Sequence, residues 1–146
     1  MRTKLTLALT DATAIAAAAE EYAESQGLRV SIAVVDESTY IQHVIRMDGA
    51  PYMSPEGAIE KARTAAEGGH PTTFFEEPLN AGRYSMLKMP AYPLEGGIPV
   101  IVDHQCVGAI GVAGVLPHLD AAIADAGLKA FDGSGSALTT VAGEQR

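Results

Sequence analysis

The chain has 146 residues, 47% of them hydrophobic and 19% charged, so it can bury one core and is too apolar to stay disordered. Ten basic against eighteen acidic side chains leave a formal charge of −8, the wrong sign for a nucleic-acid backbone or an anionic membrane. One cysteine excludes an internal disulfide and a four-thiolate metal centre.

The N-terminal apolar run is broken by threonines and Asp11, so neither a signal peptide nor a membrane span is read there. The expected compartment is the cytoplasm. Thr10 is the expected N-cap of a first helix over Asp11–Ser25, with Ile15, Ala18, Ala19 and Tyr22 at helical spacing and Gly27 as its stop. Val30–Val35 is β-branched and apolar on both parities, as a central strand requires. A polar turn at Asp36–Thr39 returns the chain as a partner strand over Tyr40–Met47.

Ser54-Pro55-Glu56 reads as a hydroxyl cap, a first-turn proline and an acid, opening a helix that Gly68-Gly69 ends. Four prolines punctuate His70–Glu95, leaving room for one short helix near Thr73–Gly82. Ile98–Val102 and Cys106–Ala113 form a second hairpin around Asp103-His104-Gln105, and a last helix with Pro117 at its start covers Leu119–Phe131. Hairpins make the sheet antiparallel, and helices must cover it. The expected class is therefore α+β: an antiparallel sheet of two hairpins under helices, one domain over residues 1–131 with a flexible tail at 132–146.

Several residues could carry chemistry. Gly108, Gly111 and Gly114 fit no phosphate-loop spacing and are expected to admit a closely packed helix or ligand. Gly96-Gly97, with Glu95 beside them, either bare backbone N–H groups to a ligand carboxylate or make a tight turn into an edge strand at Pro99. Arg46 and Asp48 end a strand, as a carboxylate clamp with a proton donor or as a plain ion pair. Arg46, Lys61, Arg63, Arg83 and Lys88 are half of the ten basic residues, and predict a positive pocket for an anionic guest.

His43 shares a strand face with Ile41 and Ile45, either as a hydrogen-bonded core residue or as the candidate acid–base group or axial iron ligand. His70 is expected to complement a helix dipole, His104 and His118 to face solvent, and Cys106 to be a buried structural thiol.

The blocks Arg46-Met-Asp-Gly-Ala50, Lys61-Ala-Arg-Thr-Ala65, Asn80-Ala-Gly-Arg83, Leu94-Glu-Gly-Gly-Ile-Pro-Val100 and Val107-Gly-Ala-Ile-Gly-Val-Ala-Gly114 resemble the GlcG/HbpS family, which includes the C-terminal domain of PduO-type proteins. The resemblance runs from about Leu5 to Phe131. It implies a profilin-like fold, a homo-oligomer built from dimers and often octameric, and a small-molecule pocket near subunit contacts. Arg46, Asp48, Lys61, Arg83, Glu95, Gly96, Gly97 and Asp120 fall on the family's recurrent blocks. Departures are the turn Val34-Val-Asp-Glu-Ser-Thr-Tyr40 in place of a Gly-Gly turn, His104 where glycine is usual, and Val115-Leu116 with Leu119 at a helix start that is usually more polar.

Two functions fit these residues. By resemblance, one is a non-covalent binder of haem or a related tetrapyrrole, with His43 on the iron and the basic residues on the propionates. The other is a catabolic enzyme, an isomerase, lyase or hydrolytic deaminase, acting on a small carboxylated metabolite such as an aromatic ring-cleavage product. There Arg46 and the glycine turn would hold the substrate while Glu95, Asp48 or His43 moved a proton.

Overall fold

Two strands that are apolar on both parities can be buried only in the middle of a sheet covered on both sides, and they are found there. In the computed structural model, which describes residues 1–131, β1 (Ser31–Asp36) and β4 (Gln105–Ala113) pair antiparallel at the centre. β2 (Ile41–Arg46) and β3 (Gly97–Val102) form the edges, giving the order β2-β1-β4-β3. Both hairpins are antiparallel, as the turns required. Pro99 sits on the edge strand β3, where its missing N–H costs least. The expected tail at 132–146 lies outside the described residues.

Helices α1 (Leu9–Ser25) and α4 (Pro117–Lys129) cover one face, and α2 (Ser54–Gly68) the other. The first face is aliphatic: Leu7, Ile15, Ile32, Val34, Ile110, Val112 and Ile123 are all but inaccessible. Each such side chain contributes about 1.5–3 kcal/mol on burial. The second face is built from small residues, with Ala33, Ala109 and Ala113 of the sheet against Ala58, Ala62 and Ala65 of α2. Gly111 lies under α2 so closely that a Cβ there would overlap the Ala58 carbonyl oxygen. Gly111 thus serves close helix packing, whereas Gly108 makes room for the Val35 carbonyl and Leu7.

Local details differ from expectation at the caps. Thr10 lies inside α1, whose N-cap is Ala8, and the Asp11 carboxylate accepts from the Ala8 N–H (3.3 Å). The acid three residues on satisfies the N-cap N–H, the reciprocal half of a capping box, while no side-chain hydroxyl caps the first-turn N–H groups. Ser54 is likewise not a cap: its hydroxyl is buried, donating to the Pro51 carbonyl (2.6 Å) and meeting Ser31 Oγ (2.8 Å). α4 starts with no side-chain cap, as its Leu116-Pro117 start implies. Between α2 and β3 the chain forms α3 (Thr73–Asn80), shorter than expected, and a 3₁₀ turn (Tyr84–Lys88). No helix among the described residues is long and apolar enough to cross a membrane.

The β3–β4 loop is a two-residue turn with positive φ at both Asp103 (49°) and His104 (62°). Such a turn suits the sheet twist but strains a residue bearing a Cβ. His104→Gly is expected to raise unfolding free energy by about 1 kcal/mol, read from the urea midpoint. Gly111→Ala should lower it by about 3 kcal/mol or more in the same assay, because backbone must move to admit the methyl group.

Candidate functional site

Lys61 is an unusual helix residue, a lysine 4% exposed in a layer made mostly of alanine and glycine. Its ammonium donates to the Val112 carbonyl oxygen (3.0 Å) and pairs with Asp120 Oδ2 (3.0 Å) in the first turn of α4. Asp120 is 1% exposed, and its second oxygen accepts from the Val115 N–H (3.2 Å). A buried charge without a partner would be strongly destabilising, so each member makes the other tolerable. Burial pushes the Asp120 carboxyl above its ordinary value of 3.8, opposed by Lys61 and reinforced by the nearby Glu95 charge.

Gly96 makes the pair possible. A Cβ there would stand 3.0 Å from Lys61 Nζ and 2.6 Å from the Val112 carbonyl oxygen, and its φ of 132° also favours glycine. Gly97 is packed against the Lys61 backbone, and its N–H donates to Thr72 Oγ1 (3.0 Å). Gly97 is therefore a packing junction, and its N–H is not available to a ligand carboxylate.

An open cleft of about 420 Å³ lies over this pair. Pro51, Met53, Leu94 and Val115 form apolar walls, Gly57 and Ala113 line it between them, and Tyr92, Glu56, Glu60, Lys61 and Asp120 supply its polar groups. Three carboxylates against one ammonium make it acidic, contrary to the expected cation-lined pocket.

The remaining expected residues do not join this cleft. His43 pairs with Val34, half-buried on the α1/α4 face of the edge strand β2. Arg46 pairs with Ser31 on the opposite face, donates to the Ala50 carbonyl (2.9 Å) and lies over the Tyr52 ring (5.4 Å). Asp48 is exposed and makes no ion pair among the described residues, so neither the Arg46–Asp48 clamp nor the plain ion pair forms. Glu95 precedes the opposite edge strand, its N–H donating to Glu76 Oε2 (2.8 Å). The two edges are three strand spacings apart, about 14 Å, so His43, Arg46 and Asp48 do not meet Glu95 at one reaction centre. Arg83 is exposed and lines a separate groove.

A second cleft, of about 400 Å³, lies between the end of α2 and α3. His70 stacks on Phe74 there (centroids 4.1 Å, 11° between planes), and Phe75 meets Phe74 edge-on. Thr64, Glu67, Gly68, Met89, Pro90 and Ala91 complete its walls. Phe74 also borders an adjoining groove of about 560 Å³ that contains Pro78, Arg83 and Met86. His70 is thus not merely a helix-end charge. Its i, i+4 spacing to Phe74 was the available sequence signal, masked by the intervening Pro71.

Elsewhere, His104 and His118 are exposed as expected, and Cys106 is half-buried against the Ala66 and Gly108 carbonyls. Burial pushes its thiol up, away from a reactive thiolate. No group of three or more metal-ligating side chains is assembled among the described residues.

Residues 7–129 match the family model described as haem degrading protein HbpS-like. The chain is 42% identical to Protein GlcG of Escherichia coli K12 over 114 residues, covering 77% of this chain and 85% of that one. It is similar in structure to an HbpS double mutant from Streptomyces reticuli, at 35% identity and a TM-score of 0.83, with 90% of each chain covered. It is also similar to PduOC in its heme complex, at 25% identity and a TM-score of 0.80, covering 88% of this chain and 96% of that one.

The Asp120 carboxyl sits higher in the folded chain than in the unfolded one, so the folded state holds its proton more tightly. The stability this contributes is complete below 3.8 and is lost as pH rises through the folded value. Asp120→Asn should remove this one contribution, so the parent's urea midpoint should fall relative to the variant's as pH rises from 3.8 to neutrality.

Proposed function

The chain belongs to the HbpS-like family, and from that premise we propose that it binds a haem-type tetrapyrrole non-covalently in the cleft between α2 and α3. The observation that carries this function is the donor set of that cleft: an imidazole stacked on a phenyl ring, with a thioether in the same wall. Imidazole nitrogen and thioether sulfur are both axial donors for haem iron, and flat aromatic walls suit a flat macrocycle. His70 or Met89 would hold the iron, Phe74 stacked on His70 would fix the orientation of the imidazole, and Arg83 in the adjoining groove would meet a propionate. When bound, the group would supply its own redox chemistry, and the chain's part is to hold and shield it.

The iron contact is thereby assigned to His70 and not to His43, which lines none of these clefts. The resemblance also implies self-association, dimer-based and as far as an octamer. Tyr40, Ile41 and Val44, exposed on and beside the edge strand β2, support it, because an apolar edge invites pairing with another copy.

Haemin added to the full chain should give a saturable, shifted Soret band at one equivalent per chain. His70→Ala should abolish or strongly blue-shift that band while leaving the thermal melt in place, and His43→Ala should leave both as they were. A normal Soret band in the His70 variant, or its loss in the His43 variant alone, would refute the assignment.

A further inference from the structure

The Lys61–Asp120 cleft plays no part in tetrapyrrole binding as assigned above, yet it has the marks of a built site: a buried charged pair under apolar walls. An ammonium carries three N–H donors. Two are occupied, by Val112 O and Asp120 Oδ2. The third has no acceptor among the described residues, and Lys61 lines the cleft.

Tyr92 supplies a second free group. Its N–H donates to Thr64 Oγ1 (2.8 Å), but its hydroxyl has no hydrogen-bond partner among the described residues and is not a buried unsatisfied atom, so it opens to the cleft. It faces Gly57, where a Cβ would stand 3.9 Å from the hydroxyl oxygen, and the glycine leaves that space to a guest. The cleft thus offers donors seeking an acceptor.

Charge decides which acceptor. Glu60 is shared with Arg63 (3.5 Å), Glu56 forms no ion pair among the described residues, and Asp120 is spent on Lys61. A carboxylate guest would face this acidic lining in a chain of charge −8. A cationic guest suits the acidic lining but offers no lone pair to the ammonium's third N–H or to the Tyr92 hydroxyl, so both donors would stay unmet. We propose that this cleft is a second ligand site, taking a small uncharged carbonyl compound with an apolar body, its oxygen accepting from Lys61 and Tyr92.

Matched benzene derivatives test this: benzamide, benzoate and benzamidine titrated into the full chain while amide NMR signals are followed. Benzamide should shift the Val112, Gly114 and Val115 amides saturably, with benzoate and benzamidine at least about tenfold weaker. Tyr92→Phe should weaken benzamide about fivefold. Glu56→Gln, on the exposed rim and not needed for the fold, should strengthen benzoate alone. His70→Ala should change none of these affinities, which separates this site from the tetrapyrrole cleft. Benzoate or benzamidine binding as tightly as benzamide, an unchanged affinity in Tyr92→Phe, or shifts that avoid those three amides would overturn the proposal.

Discussion

Among the described residues, one buried ion pair joins the two helical layers. Lys61 belongs to α2 on one side of the sheet and Asp120 to α4 on the other, and their side chains meet past the start of β3, where Gly96 leaves room. The sheet edge, the path of the Leu94–Gly97 segment and the floor of one cleft all depend on that meeting. Removing either partner would strand a charge in a layer of alanines, a loss commonly of about 3–5 kcal/mol. An apolar pair of similar volume could hold the layers together as well. The ionic version adds something an apolar pair cannot, hydrogen-bonding capacity at the bottom of a cleft.

The two faces of the sheet divide the work. The α1/α4 face is aliphatic and supplies most of the hydrophobic stabilisation. The α2 face is nearly all alanine and glycine, so α2 approaches closely and little void is left beneath it. Both clefts proposed as ligand sites border α2, one over its N-terminal half and the other at its C-terminal end. A thin, close-packed layer brings backbone carbonyls and short polar side chains near the surface, where long aliphatic side chains would have filled the space.

Charge was the hardest property to place from the chain alone. Half of the basic residues fall between Arg46 and Lys88, which suggests one positive pocket. Folding disperses them: Arg46 to a carbonyl and a tyrosine ring, Arg63 to Glu60 and Thr39, Lys61 to Asp120, and Arg83 to an exposed groove. Proximity in sequence said little here, because a strand end, a helix and a loop carry neighbouring charges to different surfaces. His43 and Arg46 show the same effect on a smaller scale. Three residues apart on one strand, they point to opposite faces of the sheet.

What the amino-acid order determined by itself were the features set by local geometry. Apolar residues on both parities made β1 central, paired turn residues made two hairpins, and Gly69 and Pro117 bounded helices. Those signals act over a few residues and need no distant partner. Only the tertiary structure decided that Lys61 finds Asp120 across 59 positions, that Gly97 spends its N–H on Thr72, and that His70 lies against Phe74 beside Met89. Each depends on where separate segments come to rest, and long-range packing sets that position while the composition of any one segment does not.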